Sequence, residues 1–163
     1  MKVFATYNIK GGVGKTAAAV NLAYCASLAG HRTLVWDLDP QGAAGFYFRI
    51  EPQAEGNLEH LLDKKHDLRS AIRGTDFPNL DLVPAALGYR NLDIALNELK
   101  KPTKRLEKLI APLADDYDIV ILDCAPHLSR VSENVFNVAD WLLVPIIPTP
   151  LSVRAYRQLR DFC

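Results

Sequence analysis

The sequence predicts an α/β fold: a doubly wound, mostly parallel sheet flanked by helices. Three observations carry that expectation. A short apolar, β-prone run, Val3-Phe4-Ala5-Thr6-Tyr7, stops at a glycine-rich turn and is followed from Thr16 to Ala29 by a segment rich in Ala and Leu, the order strand, loop, helix. A second apolar run, Thr33-Leu34-Val35-Trp36, ends at Asp37, so Val3 to Asp37 reads as one βαβ crossover. Further apolar runs alternate with helical patterns down the chain, and that alternation builds a sheet covered by helices on both faces.

Gly30 stands just past the first helical segment, where a left-handed residue closes a helix. Strands are expected at Leu80-Asp81-Leu82-Val83, at Ile119-Val120-Ile121-Leu122 and at Trp141-Leu142-Leu143-Val144-Pro145. The run from Ile119 is apolar throughout, as a central strand buried on both faces requires. Helical patterns cover Asn57 to Leu62, Leu68 to Arg73, Arg90 to Leu99, Lys104 to Ala114 and Val131 to Ala139, and the stretches Glu51 to Gly56 and Lys100 to Thr103 read as exposed turns. Neither repeats nor low-complexity linkers interrupt the order. At 163 residues the chain fits a single nucleotide-binding domain over 1–163, and a domain of this size buries roughly 70% of its unfolded surface.

Lys plus Arg equals Asp plus Glu at 19 each, so no global charge marks a nucleic-acid binder. The three cysteines, Cys25, Cys124 and Cys163, lack the paired spacing of a disulfide framework or a zinc site. Met1-Lys2-Val3-Phe4-Ala5 runs straight into the glycine-rich turn without the apolar length of a signal peptide. No stretch approaches the ~18 apolar residues that span a bilayer. These features place the chain in the cytoplasm.

Chemistry concentrates at the strand ends, where ligands of open α/β sheets bind. In Asn8-Ile9-Lys10-Gly11-Gly12-Val13-Gly14-Lys15-Thr16, Gly11, Gly12 and Gly14 let backbone N–H groups point at phosphate oxygens, and the helix that follows adds its positive dipole end. Lys15 would reach the β- and γ-phosphates and Thr16 would bind Mg²⁺, with Val13 and Ala17 completing the backbone cradle. The strict loop pattern asks for glycine where Ile9 stands, so the match is to a variant that carries Lys10. Asp123 ends an apolar strand, the place for a magnesium-associated carboxylate. Asp37 and Asp39, in Trp36-Asp37-Leu38-Asp39-Pro40-Gln41-Gly42, also follow a strand, and alternate positions on an extended chain give them different roles.

Lys10 to Thr16, Asp37 to Gly42 and Tyr117 to Pro126 together resemble the ParA/MinD family of deviant Walker A ATPases, within the P-loop NTPases, and most of all its ParA-like partitioning members. The resemblance covers most of the chain in the family's order. It implies ATP and Mg²⁺ as ligands and an ATP-driven, face-to-face homodimer. By position, Lys15 is the Walker lysine, Lys10 the signature lysine that reaches the partner subunit's nucleotide, and Thr16 a magnesium ligand. Asp39 would orient the attacking water, Asp123 is the Walker B carboxylate, and Asp37 supports the magnesium shell. A lysine offered across an interface stabilises transition-state charge only after assembly, much as an arginine finger does.

The resemblance also implies partners: an activator or cargo-adaptor protein, and non-specific DNA. ParA-like chains usually continue through at least one more strand and helix, so the domain is expected to lack that segment. Arg154, Arg157 and Arg160 share a helical face and are the local basic cluster. The arginine-rich stretch Ser152 to Cys163 differs from the amphipathic membrane helix of MinD, and no membrane partner is expected. Other readings stand beside this one: a small-molecule kinase or amidoligase with an acceptor pocket, an iron–sulfur reductase sharing a cluster through Cys124, and a binding module without turnover.

Overall fold

The computed structural model describes residues 1–51, 67–99 and 102–162. Five parallel strands are joined by one short antiparallel edge strand. They are β1 (Lys2–Thr6), β2 (Thr33–Asp37), β3 (Arg73–Gly74), β4 (Leu80–Val83), β5 (Ile119–Asp123) and β6 (Trp141–Leu143), in the order β3-β4-β2-β5-β1-β6. The helices are α1 (Lys15–Leu28), α2 (Ala43–Phe48), α3 (Leu92–Asn97), α4 (Arg105–Ile110), α5 (Arg130–Val138) and α6 (Pro150–Phe162). The apolar β5 lies between β2 and β1 in mid-sheet, the position its composition demands.

The pleat sorts side chains between two cores. Val3, Ala5 and Tyr7, Leu34 and Trp36, and Val120 and Leu122 face one side, where Leu106, Ile110, Leu113, Val135 and Leu159 cover them. Phe4, Val35 and Ile121 face the other, against Ala19, Val20 and Ala23 of α1. The same alternation sends Thr6, Asp37 and Asp123 to the α1 side. Registry then aligns them, because Thr6 pairs with Asp123 and Asp37 pairs with Asp123 across adjacent parallel strands.

Local chemistry explains the ends. Gly30 sits at φ 87, donates to the Ser27 carbonyl, and His31 donates to the Ala26 carbonyl, which is the Schellman closure of α1. Gly42 at φ 66 opens α2, a helix the sequence pattern did not announce. Three predicted helices are shorter than their patterns. Leu68 to Arg73 is a 3₁₀ turn over Leu68–Ala71, capped by Asp67 on the Arg69 N–H, after which Arg73 enters β3 against Leu82. Lys104 to Ala114 is helical over Arg105–Ile110 and then a 3₁₀ turn over Ala111–Leu113, since Pro112 has no N–H to continue the α-helical ladder. Arg90 to Leu99 begins in a 3₁₀ turn, Leu87–Asn91, before α3. β6 stops at Leu143, where pairing with Thr6 of β1 ends, short of the expected Pro145. The predicted helix Asn57 to Leu62 and most of the turn Glu51 to Gly56 lie outside the described residues, as do Lys100 and Lys101 of the turn Lys100 to Thr103, and Cys163. Among the described residues no helix is long and apolar enough to cross a membrane.

Candidate functional site

The loop from Asn8 to Gly14 joins β1 to α1 at the carboxyl end of the sheet. Gly12 and Gly14 hold φ 71 and 89, the left-handed region that β-carbon sterics close to most residues. Gly11 has ordinary φ, and a β-carbon there would meet no protein atom within 4 Å. The chain's own packing therefore does not demand glycine at 11, whereas a closely approaching ligand would. Lys15, the first residue of α1, is 7% exposed, and Thr16 and Ala17 follow at half-buried positions of the first turn.

Three strand ends supply the facing polar groups. Thr6 donates its hydroxyl to Asp123 Oδ1 at 3.2 Å, while Asp123 Oδ2 is buried with no hydrogen-bond partner. Burial pushes the Asp123 carboxyl up to about 6, with Asp39 nearby pushing the same way and Thr16, Thr6 and Lys15 opposing. Asp37, fully buried, accepts from the Asp39 N–H and the Ala44 N–H at 3.0 Å each. Burial first and the charge of Asp123 second push Asp37 up to about 7. Two buried carboxylates aligned on adjacent strands lack enough cationic partners among the described residues, which is the condition a divalent cation would relieve. The orphaned Asp123 oxygen beside Thr16 passes the test of fit for a hydrated Mg²⁺.

Asp39 lies on the loop after β2, half-buried, with Oδ1 accepting from the Gln41 N–H at 3.0 Å. It borders a cavity of about 420 Å³ walled by Pro40, Tyr89, Asp93, His127 and Val131, among others. Lys10 stands apart from Lys15. Its backbone N–H donates to Asn8 Oδ1, and its Nζ donates to Thr149 Oγ1 at 3.1 Å and Ser152 Oγ at 3.2 Å. The predicted residues Gly11, Gly12, Val13, Gly14, Lys15, Thr16, Ala17, Asp37, Asp39 and Asp123 thus gather at one end of the sheet, and Lys10 turns toward α6.

The family model for an AAA domain matches residues 1–163. The chain belongs to this AAA-domain family, in its ParA-like part. Among its ParA-like relatives, a virulence plasmid ParA family protein of Chlamydia psittaci is 30% identical over all of this chain and 63% of its own length. The sporulation initiation inhibitor protein Soj of Bacillus subtilis is 34% identical over 89% of this chain and 58% of its own. The chain therefore spans about three fifths of these relatives. A cobyrinic acid a,c-diamide synthase structure from Mycobacterium smegmatis, with bound ADP and magnesium, superposes with a TM-score of 0.91 at 28% identity, covering 99% of this chain and 66% of that one. A plasmid partition protein of Borrelia burgdorferi bound to AMPPNP does so with a TM-score of 0.87 at 26% identity, covering 99% and 67%.

Sequence reasoning missed Thr6, Thr149 and Ser152. Thr6 was accessible through strand parity and registry with Asp123, whereas no local pattern in this ParA-like chain pairs Thr149 and Ser152 with a lysine about 140 residues earlier. Cys124 is buried, and burial raises its thiol well above the ordinary range, as a structural thiol requires. Among the described residues no cluster of three His, Cys, Asp or Glu side chains could hold a metal.

Proposed function

We propose that this chain is a cytoplasmic, ParA-like ATPase of one nucleotide-binding domain that binds Mg-ATP, closes into a sandwich homodimer and hydrolyses ATP slowly as a partitioning switch. The observation that carries this reading is the convergence of Lys15, Thr16, Asp37 and Asp123 on a glycine loop at the ends of three adjacent strands. The loop N–H groups and Lys15 would bind the phosphates. Thr16 and Asp123 would hold the cation, with Asp37 oriented behind them by two backbone donors. Bound Mg²⁺ supplies charge neutralisation across the phosphates. Asp39 would orient the attacking water, and Lys10 of each subunit would serve the other subunit's nucleotide. Cargo adaptors and activators are the protein partners this role needs, and duplex DNA is the surface on which a partitioning dimer would act.

Asp39→Ala is the test. Orienting water matters in the transition state and little in the ground state, so the variant should retain ATP affinity and accumulate an ATP-loaded dimer while ADP production falls about a hundredfold. Equal loss of binding and turnover would make Asp39 a structural residue and remove this mechanism. The cavity beside Asp39 favours one second reading, a small-molecule kinase or amidoligase whose acceptor occupies it. ADP production that depends on an added acceptor would establish that reading in place of the switch.

A further inference from the structure

The cavity of about 420 Å³ beside Asp39 lies between the loop after β2, the loop after β5 and the first turns of α5. Its size is that of a small-molecule site. Tyr7, Leu38, Pro40, Pro126 and Val131 give it apolar walls, interrupted by the carboxylates of Asp39 and Asp93. Among the described residues that line it there is neither lysine nor arginine. Each carboxylate has one oxygen committed to the backbone: Asp39 Oδ1 accepts from the Gln41 N–H and Asp93 Oδ1 from the Val131 N–H, both at 3.0 Å. The second oxygen of Asp93 stands 4.0 Å from His127 Nε2, beyond hydrogen-bond reach, and no described residue donates to that of Asp39.

A buried hydroxyl adds a second requirement. Tyr89 borders the same cavity, is 5% exposed, and its oxygen accepts from Trp36 Nε1 at 3.0 Å. Among the described residues no acceptor takes the proton of this hydroxyl. Burial pushes the phenol well above its ordinary range, so it remains a donor, and a buried donor gains from any acceptor brought to it. The amino end of α5 would favour an anion, but its N–H groups are already engaged. Those of Val131 and Ser132 donate to the Ser129 hydroxyl and that of Glu133 to the Ser129 carbonyl. The cavity therefore calls for positive charge and one acceptor.

We infer that this cavity is a binding site for a small organic cation, whose ammonium or guanidinium group is held by Asp39 and Asp93 and whose apolar body carries one hydrogen-bond acceptor for Tyr89. Charge-assisted hydrogen bonds to the two carboxylates supply the affinity, and the apolar walls strengthen them by excluding water. Tyr89 then selects among amines by what the rest of the molecule offers. Binding there needs neither nucleotide nor turnover, so the site stands apart from the switch and the acceptor readings alike.

Three probes of equal chain length separate the requirements: 5-aminopentanamide carries the ammonium and the acceptor, pentylamine lacks the acceptor, and pentanamide lacks the charge. Their affinities are read by NMR titration of the chain without nucleotide. Molecules of this size bind in about the millimolar range, and 5-aminopentanamide should bind at least about tenfold more tightly than pentanamide. Asp93→Asn keeps an oxygen for the Val131 N–H and should remove most of that advantage while leaving pentanamide unchanged. Tyr89→Phe keeps the ring and should weaken 5-aminopentanamide several-fold, to the level of pentylamine, whose own affinity stays the same. Equal binding of the three probes, no binding of either amine at about 50 mM, or amine binding that both variants leave unaltered overturns the site. Much tighter binding of a blocked pentapeptide with a central lysine, lost in Asp93→Asn, would overturn it in favour of a partner protein's side chain. The probe comparison on the unmodified chain decides the need for charge even if a variant fails to fold. Failure here leaves the ATPase reading standing, and failure of the Asp39→Ala test leaves these titrations to decide the site by themselves.

Discussion

Lys10 and Lys15 lie on one loop, yet their surroundings differ in every respect that bears on function. Lys15 opens α1, is 7% exposed, and lies close enough to Asp123 to favour its ionised form. Lys10 is half-buried, touches hydroxyls near the far end of the chain, and belongs to no ion pair among the described residues. The first is fixed at the head of its own helix. The second is held by two neutral hydroxyls. The difference teaches that one loop can place two cations in separate surroundings, one packed beside the strand-end carboxylates and one resting on neutral hydroxyls.

The largest expected effect falls on the fixed lysine. Lys15→Ala should weaken ATP binding by at least about a hundredfold in titration calorimetry, because a partly desolvated phosphate contact loses its charge-assisted partner. Affinity within a few-fold of the unmodified chain would break the comparison at its stronger side.

The carboxylates opposite Lys15 sharpen it. Asp37 and Asp123 rise from 3.8 to about 7 and about 6 in the folded chain. The native state then binds more protons than the unfolded chain between pH 4 and those values, so the metal-free protein loses stability as pH rises through that window. Asp123→Asn removes one buried charge and relieves its neighbour. It should raise the metal-free melting temperature at pH 7.5 by about 3–8 °C, equivalent to about 1–3 kcal/mol, and flatten the pH dependence. The same variant should lose the added stability that Mg-ATP gives the unmodified chain. A melting temperature lowered by the substitution would show Asp123 to be a structural carboxylate.

The smallest effect concerns α6, whose amino end seats Lys10. Arg154, Arg157 and Arg160 are all exposed, opposite the buried Ser152, Ala155 and Leu159, with Arg160 paired to Asp161 at 2.9 Å. If the ATP-bound dimer binds duplex DNA, replacing the three by alanine should reduce the slope of log affinity against log salt by about two to three per subunit, as read by gel shift. An unaltered slope would move the DNA surface elsewhere.

Much of this was legible in the sequence. Strand, loop and helix order placed the glycine cradle, and the apolar run Ile119 to Leu122 announced a central strand because both its faces are covered. Asp37 and Asp123 could be assigned to strand ends, but their direct pairing in register could not, since registry is set by which strands become neighbours. Thr6 joined the site only through that pairing. The contacts of Lys10 were illegible for the same reason: Thr149 and Ser152 reach it by folding of the whole sheet, and short patterns carry no trace of distant neighbours. Helix lengths were overestimated where Pro112 broke the α-helical ladder and where Arg73 left the turn to pair with Leu82 in β3.

The most direct test of the account is the mass in solution, by size-exclusion chromatography with light scattering, of the unmodified chain and of Lys10→Ala with Mg-ATP and with Mg-ADP. The account predicts a dimer for the unmodified chain with ATP alone, and monomers for Lys10→Ala under both conditions although its ATP affinity stays within about threefold. A Lys10→Ala chain that dimerises with ATP as the unmodified chain does, or an unmodified chain that stays monomeric at saturating ATP, would contradict it.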